Sequence, residues 1–310
     1  MTRMWIAILL LGLGCAAQAR AGETVELGGD APAYRLFVPS HPAGGAAPLL
    51  VMLHGCNQDA ASIAAGTRWN LLAEEKGFFV LYANQPASRN PMKCWNWFLP
   101  ADQKVGGREP AEIIAAIDRV ETHHPIDRRR VYVAGMSAGG AMAAILMSCY
   151  PARFAAGAIS SGLPYGVADN TMEAFSVMAQ GPGKRAHNPS CDPHAFHGGV
   201  MVVQGLSDDV VNPANADRVL TDFLPAQGTR WQTTDVPATA QSLAYHLTTV
   251  STDGRLVAER LLVEHADHAW MGGAAGMPYC DPHGPKTTEM IWSFFSGLST
   301  AEPTAVASTH

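Results

Sequence analysis

Charge is sparse in this sequence: Asp, Glu, Lys and Arg make up 15% of 310 residues, and the net charge is −6. No long basic run occurs, which argues against a nucleic-acid partner. The short cluster Arg128, Arg129, Arg130 reads as the solvated end of a helix-to-strand connection. Beyond the N-terminus no apolar run is long enough to cross a bilayer, so no integral membrane segment is expected in the mature chain. Internal repeats, a linker and a second compositional zone are also missing, and one domain is the simplest organisation. The 47% of hydrophobic residues suffice for a large core.

What is present begins with a targeting pattern. Arg3 supplies positive charge, Trp5 to Leu13 is apolar, and Ala17-Gln18-Ala19 is a small-x-small cleavage site, so residues 1–19 read as a signal peptide. Cleavage after Ala21 is the variant. Cys15 raises a lipoprotein alternative, against which Gly12 stands where a lipobox carries Leu. A secreted or periplasmic protein is expected. Five cysteines then remain, Cys56, Cys94, Cys149, Cys191 and Cys280, enough for two bridges and one thiol in an oxidising compartment. Cys149 lies in an apolar helical stretch and reads as the buried free thiol.

Dense apolar runs suited to buried strands alternate with helical periodicity. After a first strand near Tyr34 to Val38, "APLLVMLHG", "FFVLYA", "RVYVAG", "FAAGAIS" and "GGVMVVQG" read as strands. "AASIAAGTRWNLLAEEKG" reads as one helix closed by Gly77, and "EPAEIIAAIDRVETHH" as an amphipathic one. Residues 161–197 look irregular, "AYHLTTV" and "RLVAERLLVEH" look like a strand pair, and "TTEMIWSFFSGL" closes the fold as a helix. The alternation predicts a mainly parallel central sheet covered by helices on both faces, a single α/β domain over 22–298, with 299–310 a disordered tail.

Between strand and helix stands Gly135-Met136-Ser137-Ala138-Gly139, a G-x-S-x-G pattern that puts one polar side chain on a tight bend. An ordinary strand-to-helix turn is the plain alternative. A serine nucleophile needs a base, and the base needs an acid to hold its tautomer. Asp208 and Asp209 follow "VMVVQG", and His265 and His268 follow "LLV", so Ser, Asp and His occur in α/β-hydrolase order with both doublets open. The backbone N–H groups of Cys56, in "HGCNQ", and of Ala138 are the candidate oxyanion donors. His54 reads as a loop-ordering residue. Cys191, His194 and His197 in "CDPHAFH" suit a zinc site poorly, and neither metal nor cofactor is expected.

Together "LLVMLHGCNQ", "CWNWF", "VYVAGMSAGGAMA", "ISSGLPYG", "QGLSDDVV" and "HADHAWMGG" resemble the poly(3-hydroxybutyrate) depolymerase family of esterases, itself similar to feruloyl and acetylxylan esterases. The resemblance runs from about Tyr34 to Phe295. It implies an α/β-hydrolase with Ser137 as nucleophile, and its patterns select Asp208 over Asp209 and His268 over His265. It departs at Gln204, where the family usually has His, a change expected to leave the triad untouched. It further implies an apolar cleft bordered by Trp95, Trp97 and Trp270, with Trp97 first in contact with substrate. Cys56 and Cys94 each fall in a family motif with Cys and are expected to form a disulfide, leaving Cys191 and Cys280 as a second pair by exclusion.

The activity expected is hydrolysis of short polyester or hydroxyalkanoate esters through an acyl-enzyme, with an ester substrate as the one partner. Feruloyl or acetylxylan esterase is the alternative, and a serine peptidase or non-catalytic binding protein stands further off. Many secreted polymer depolymerases carry a linker and a separate binding domain, and the sequence ends shortly after its last helix. Oligomers or amorphous polymer are therefore expected to be favoured over crystalline granules.

Overall fold

A computed structural model describes residues 22–27, 34–184 and 190–300, with the side chains of 299 and 300 excepted. The signal peptide expected over 1–19 and the part of the expected disordered tail after 300 lie outside the described residues. One ten-stranded sheet organises the chain. Its six central strands are parallel: β3 (Ala47–Leu53), β4 (Phe79–Ala83), β5 (Ile126–Met136), β6 (Ala156–Ser160), β7 (Gly199–Gly205) and β10 (Arg255–Val263). Antiparallel strands extend both edges, β1 (Glu23–Leu27) and β2 (Tyr34–Val38) on one side, β8 (Thr229–Val236) and β9 (Tyr245–Thr252) on the other. The order is β1-β2-β4-β3-β5-β6-β7-β10-β9-β8. A two-residue pair, β11 (Trp270–Met271) and β12 (Cys280–Asp281), lies apart.

The apolar runs form strands buried on both faces because helices cover each side. In β3, Leu49, Val51 and Leu53 enter one core and Leu50 and Met52 the other, as the two-residue period requires. The first core is shared with α3 (Arg108–His123), α4 (Ala138–Cys149), α5 (Thr171–Gln180) and α6 (Ala214–Asp222). The second is shared with α1 (Ala60–Thr67), α2 (Trp69–Lys76) and α7 (Thr287–Thr300). After β3 the chain moves outward to β4, then returns past β3 to β5. This reversal opens a crevice at the carboxyl ends of β3 and β5, where open α/β sheets place their sites. Among the described residues, no helix is long and apolar enough to cross a membrane.

Three readings of the sequence change. The single helix expected before Gly77 is two, broken at Arg68, whose φ is 60°. The break frees carbonyls that the C-terminal region uses: Gly66 O accepts from Ala274 N at 2.8 Å and Thr67 O from the Thr288 hydroxyl at 2.7 Å. The stretch 161–197 is not irregular throughout, since it contains α5, N-capped by Asn170, whose side chain accepts from Glu173 N. Strands β1 and β8 were hidden by polar, exposed sequences that edge strands tolerate. The expected strand pair is the β9–β10 hairpin, turned at Asp253-Gly254, both at positive φ.

Candidate active site

Ser137 sits at the bend from β5 into α4 with φ 56° and ψ −123°, a backbone state that costs a residue with a side chain on the order of 1–3 kcal/mol. The bend is held by Ser137 N donating to Ser160 O at 2.9 Å. It is also tight: a Cβ on Gly135 would stand 2.2 Å from Gly139 O, and one on Gly139 2.4 Å from Leu53 O. The two glycines let strand, helix and the end of β3 approach closely, and the serine is thrust to the crevice.

The carboxyl ends of β7 and β10 bring the other side chains. His268 Nδ1 lies 2.8 Å from Asp208 Oδ2, and both side chains are nearly excluded from solvent. Asp209 and His265 are exposed. Asp208 Oδ1 accepts from Val210 N at 3.0 Å and Val211 N at 2.8 Å. Burial pushes the Asp208 carboxyl up, but the hydrogen bond and charge of His268, the Val211 amide and the Ser161 hydroxyl prevail and hold it below the usual carboxylate range. Gln204 also reaches this carboxylate, its Nε2 2.9 Å from Oδ2. The departure from the family pattern at Gln204 therefore lies in direct contact with the Asp208 carboxylate.

A cavity of about 450 Å³ opens over Ser137 and His268, lined mainly by apolar side chains including Trp97, Phe98, Phe175, Met178 and Tyr279. Cys56 lines the same cavity, on the loop after β3. In that loop Gly55 N donates to Gln58 Oε1 at 2.8 Å, Asn57 N to Met92 O at 2.6 Å and Gln58 N to Gly55 O at 3.4 Å, so of these neighbouring amides Cys56 N is the one not taken up by these bonds. Ala138 is the first residue of α4, and a first-turn N–H has no carbonyl within its helix.

A buried polar network fixes the wall between this loop and the Trp97 loop. His54 is fully buried, with Nδ1 2.7 Å from Gly55 O and Nε2 accepting from Gln85 N at 3.0 Å. Burial lowers its pKa to about 4, so it is neutral and a loop-ordering residue. Gln85 Nε2 donates to Cys94 O and to Glu109, and Glu109 also accepts from the backbone and side-chain amides of Asn96. Burial raises the Glu109 pKa despite these bonds from Asn96 and Gln85. Neither Glu109 nor α5 was singled out from the sequence. The Asn170 cap followed by "TMEAFSVM" was the available signal for α5; Glu109 lies in the first turn of α3, where an acidic residue is ordinary.

Cys56 and Cys94 form a disulfide, Cα atoms 4.2 Å apart, tying the two loops together. The other pairing is corrected: Cys149 bonds Cys191, and Cys280 is free and half-buried. The end of α4 faces the loop where the Tyr165 hydroxyl holds Cys191 N at 3.1 Å, whereas Cys280 packs against Gly66 and Gly273. With its sulfur in a disulfide, Cys191 offers no thiolate beside His194 and His197. Two tryptophans are corrected as well. Trp95 is buried, its Nε1 donating to His54 O at 3.0 Å, and Trp270 is buried, its Nε1 donating to Thr288 Oγ1 at 2.9 Å. Each spends its polar atom on the scaffold; of the three, Trp97 lines the cavity.

Comparison with known proteins agrees with this architecture. A sequence profile of the family described as Esterase PHB depolymerase matches residues 32–240, which include Ser137 and Asp208. Poly(3-hydroxyalkanoate) depolymerase C of Paucimonas lemoignei is 36% identical over 203 residues, 62% of this chain and 48% of that protein, so the match spans about half of that relative's length. Feruloyl esterase B of Thermothelomyces thermophilus is 28% identical over 242 residues, 72% of this chain and 80% of that one. Among solved structures, an acetyl xylan esterase from Aspergillus awamori superposes with a TM-score of 0.64 at 19% identity, covering 89% of this chain and 100% of that one. That likeness bears on the fold, an α/β-hydrolase. The chain belongs to the esterase PHB depolymerase family.

Proposed function

We propose that this chain is an exported serine esterase that cleaves hydroxyalkanoate-type esters, with Ser137, His268 and Asp208 as its triad. The observation that carries the reading is the buried Asp208–His268 hydrogen bond beside a strained Ser137 in one cavity. With Nδ1 committed to Asp208, His268 presents Nε2 as the base. It takes the Ser137 proton as Oγ attacks the ester carbonyl, and Asp208 stabilises the resulting imidazolium. The N–H groups of Cys56 and Ala138 receive the developing oxyanion. The imidazolium returns its proton to the leaving alcohol, water attacks the acyl-enzyme by the same route, and Ser137 is restored. None of these steps calls for a cofactor.

The substrate class rests on family membership and on an apolar cavity that suits an uncharged acyl chain. Export is supported by the two disulfides, which form in oxidising compartments. A second reading, feruloyl esterase, is favoured by the aromatic side chains Trp97, Phe98, Phe175 and Tyr279 in the cavity wall and shares every catalytic residue. A fluorophosphonate should label the protein and fail on Ser137→Ala; equal labelling or activity of that variant rejects the nucleophile. Hydroxybutyrate oligomers, methyl ferulate and acetylated xylan, compared by kcat/KM, decide the substrate. Preference for methyl ferulate overturns the first reading in favour of the second.

A further inference from the structure

Four nitrogen donors converge on the Asp208 carboxylate, and the Ser161 hydroxyl also bears on it. Oδ1 takes the amides of Val210 and Val211, and Oδ2 is shared between His268 Nδ1 at 2.8 Å and Gln204 Nε2 at 2.9 Å. Gln204, in β7, is 1% exposed. Its Nε2 also lies 3.2 Å from both Gly205 O and Val211 O. Three oxygens around one terminal atom demand a donor there. Turned about, the amide would set its own carbonyl oxygen against a carboxylate and two carbonyls.

We propose that Gln204 is a positioning residue of the catalytic centre. It fixes the Asp208 carboxylate toward His268 and, by sharing Oδ2, limits how strongly that oxygen draws the imidazole into its protonated form. The proposal rests on the triad reading above. Two donors to Asp208 are backbone amides on the Oδ1 side, so Oδ2 takes its direction from Gln204 and His268, with the Ser161 hydroxyl also bearing on the carboxylate. The amide carries no charge and does not titrate, and His268 is the charged group bearing on Asp208. The support for the acid therefore stays constant wherever the base titrates. A carboxyl in the same place has one O–H to give, and only while it keeps its proton; losing it sets a second negative charge against Asp208.

The test compares wild type, Gln204→Leu and Gln204→Glu on a soluble short-chain ester from about pH 5 to 9, with melting temperature measured alongside. Loss of a hydrogen bond to a charged group in Gln204→Leu is expected to lower kcat roughly 10- to 100-fold, with KM within about twofold. Its acid limb should move to higher pH, because the unshared Oδ2 favours the imidazolium. In Gln204→Glu, which keeps the size of the side chain should the leucine variant fail to fold, kcat/KM should gain an ionisation that wild type lacks and fall as pH rises through it. Folded variants whose kcat and pH profile both match wild type overturn the proposal. So does a Gln204→Glu profile without the added ionisation. Fluorophosphonate labelling of wild type separates the two levels: without labelling, the triad reading falls and takes this proposal with it. With labelling and unaltered Gln204 variants, this proposal alone falls.

Discussion

Asp208 and His268, sixty residues apart in sequence, meet at 2.8 Å, while their near neighbours Asp209 and His265 face solvent. Asp208→Asn should lower kcat by about 10⁴-fold, since an amide no longer selects the tautomer that leaves Nε2 free. Asp209→Asn should stay within about twofold, as surface changes usually do. His268→Ala and His265→Ala should divide in the same way. Steady-state kinetics of the four variants checks the assignment, and a severe loss in Asp209→Asn or His265→Ala would contradict it.

The two disulfides should separate in their effects. Cys56–Cys94 closes a loop of 38 residues and Cys149–Cys191 one of 42, so chain entropy assigns each about 3–4 kcal/mol. Both Cys94→Ser and Cys191→Ser should lower the melting temperature. Cys94→Ser should also lower kcat, because the freed loop carries the Cys56 amide; Cys191→Ser should leave kcat nearly unchanged. Equal kinetic losses in the two would sink the proposed link between the first bridge and the oxyanion.

His54 makes stability depend on pH. Its pKa is about 4 in the folded chain and 6.5 when unperturbed, so the unfolded chain binds more protons between these values. Its full contribution is present above about pH 6.5 and is lost as pH falls through 4, in total about 3 kcal/mol. Urea midpoints measured across that window should fall with acidity, and His54→Gln should flatten this component. An unchanged slope in a folded His54→Gln protein would show that His54 does not set it.

Glu109 accepts three hydrogen bonds, from Gln85 Nε2 and both amides of Asn96, and has no use for a donor there. Glu109→Gln turns one acceptor into a donor facing another donor, which should cost about 1–3 kcal/mol. Because Asn96 precedes Trp97, KM should rise more than kcat falls. Denaturant unfolding and steady-state kinetics measure both, and unchanged stability and KM would refute the account.

The strands, most helices and the α/β order of Ser137, Asp208 and His268 were legible in the sequence because they rest on local properties. A buried parallel strand must be apolar throughout, and a sharp bend needs small neighbours at Gly135 and Gly139. Edge strand β8 was not legible, since its face to solvent imposes no apolar period. Nor was the break at Arg68, whose reason lies at Ala274 and Thr288.

At the site the same division holds. Sequence order named the residue types and the ends of strands that carry them. Which cysteines pair, which tryptophan reaches the cavity, and that Gln204 touches Asp208 depend on distances between segments far apart along the chain. Trp95, Trp97 and Trp270 are chemically alike, yet a nearby carbonyl claims the first and a threonine hydroxyl the last. Cys149 pairs with Cys191 because the end of α4 faces that loop, while Cys280 is held elsewhere by β12. Local propensity carries no information about such distances; only the packing of the folded sheet decides them.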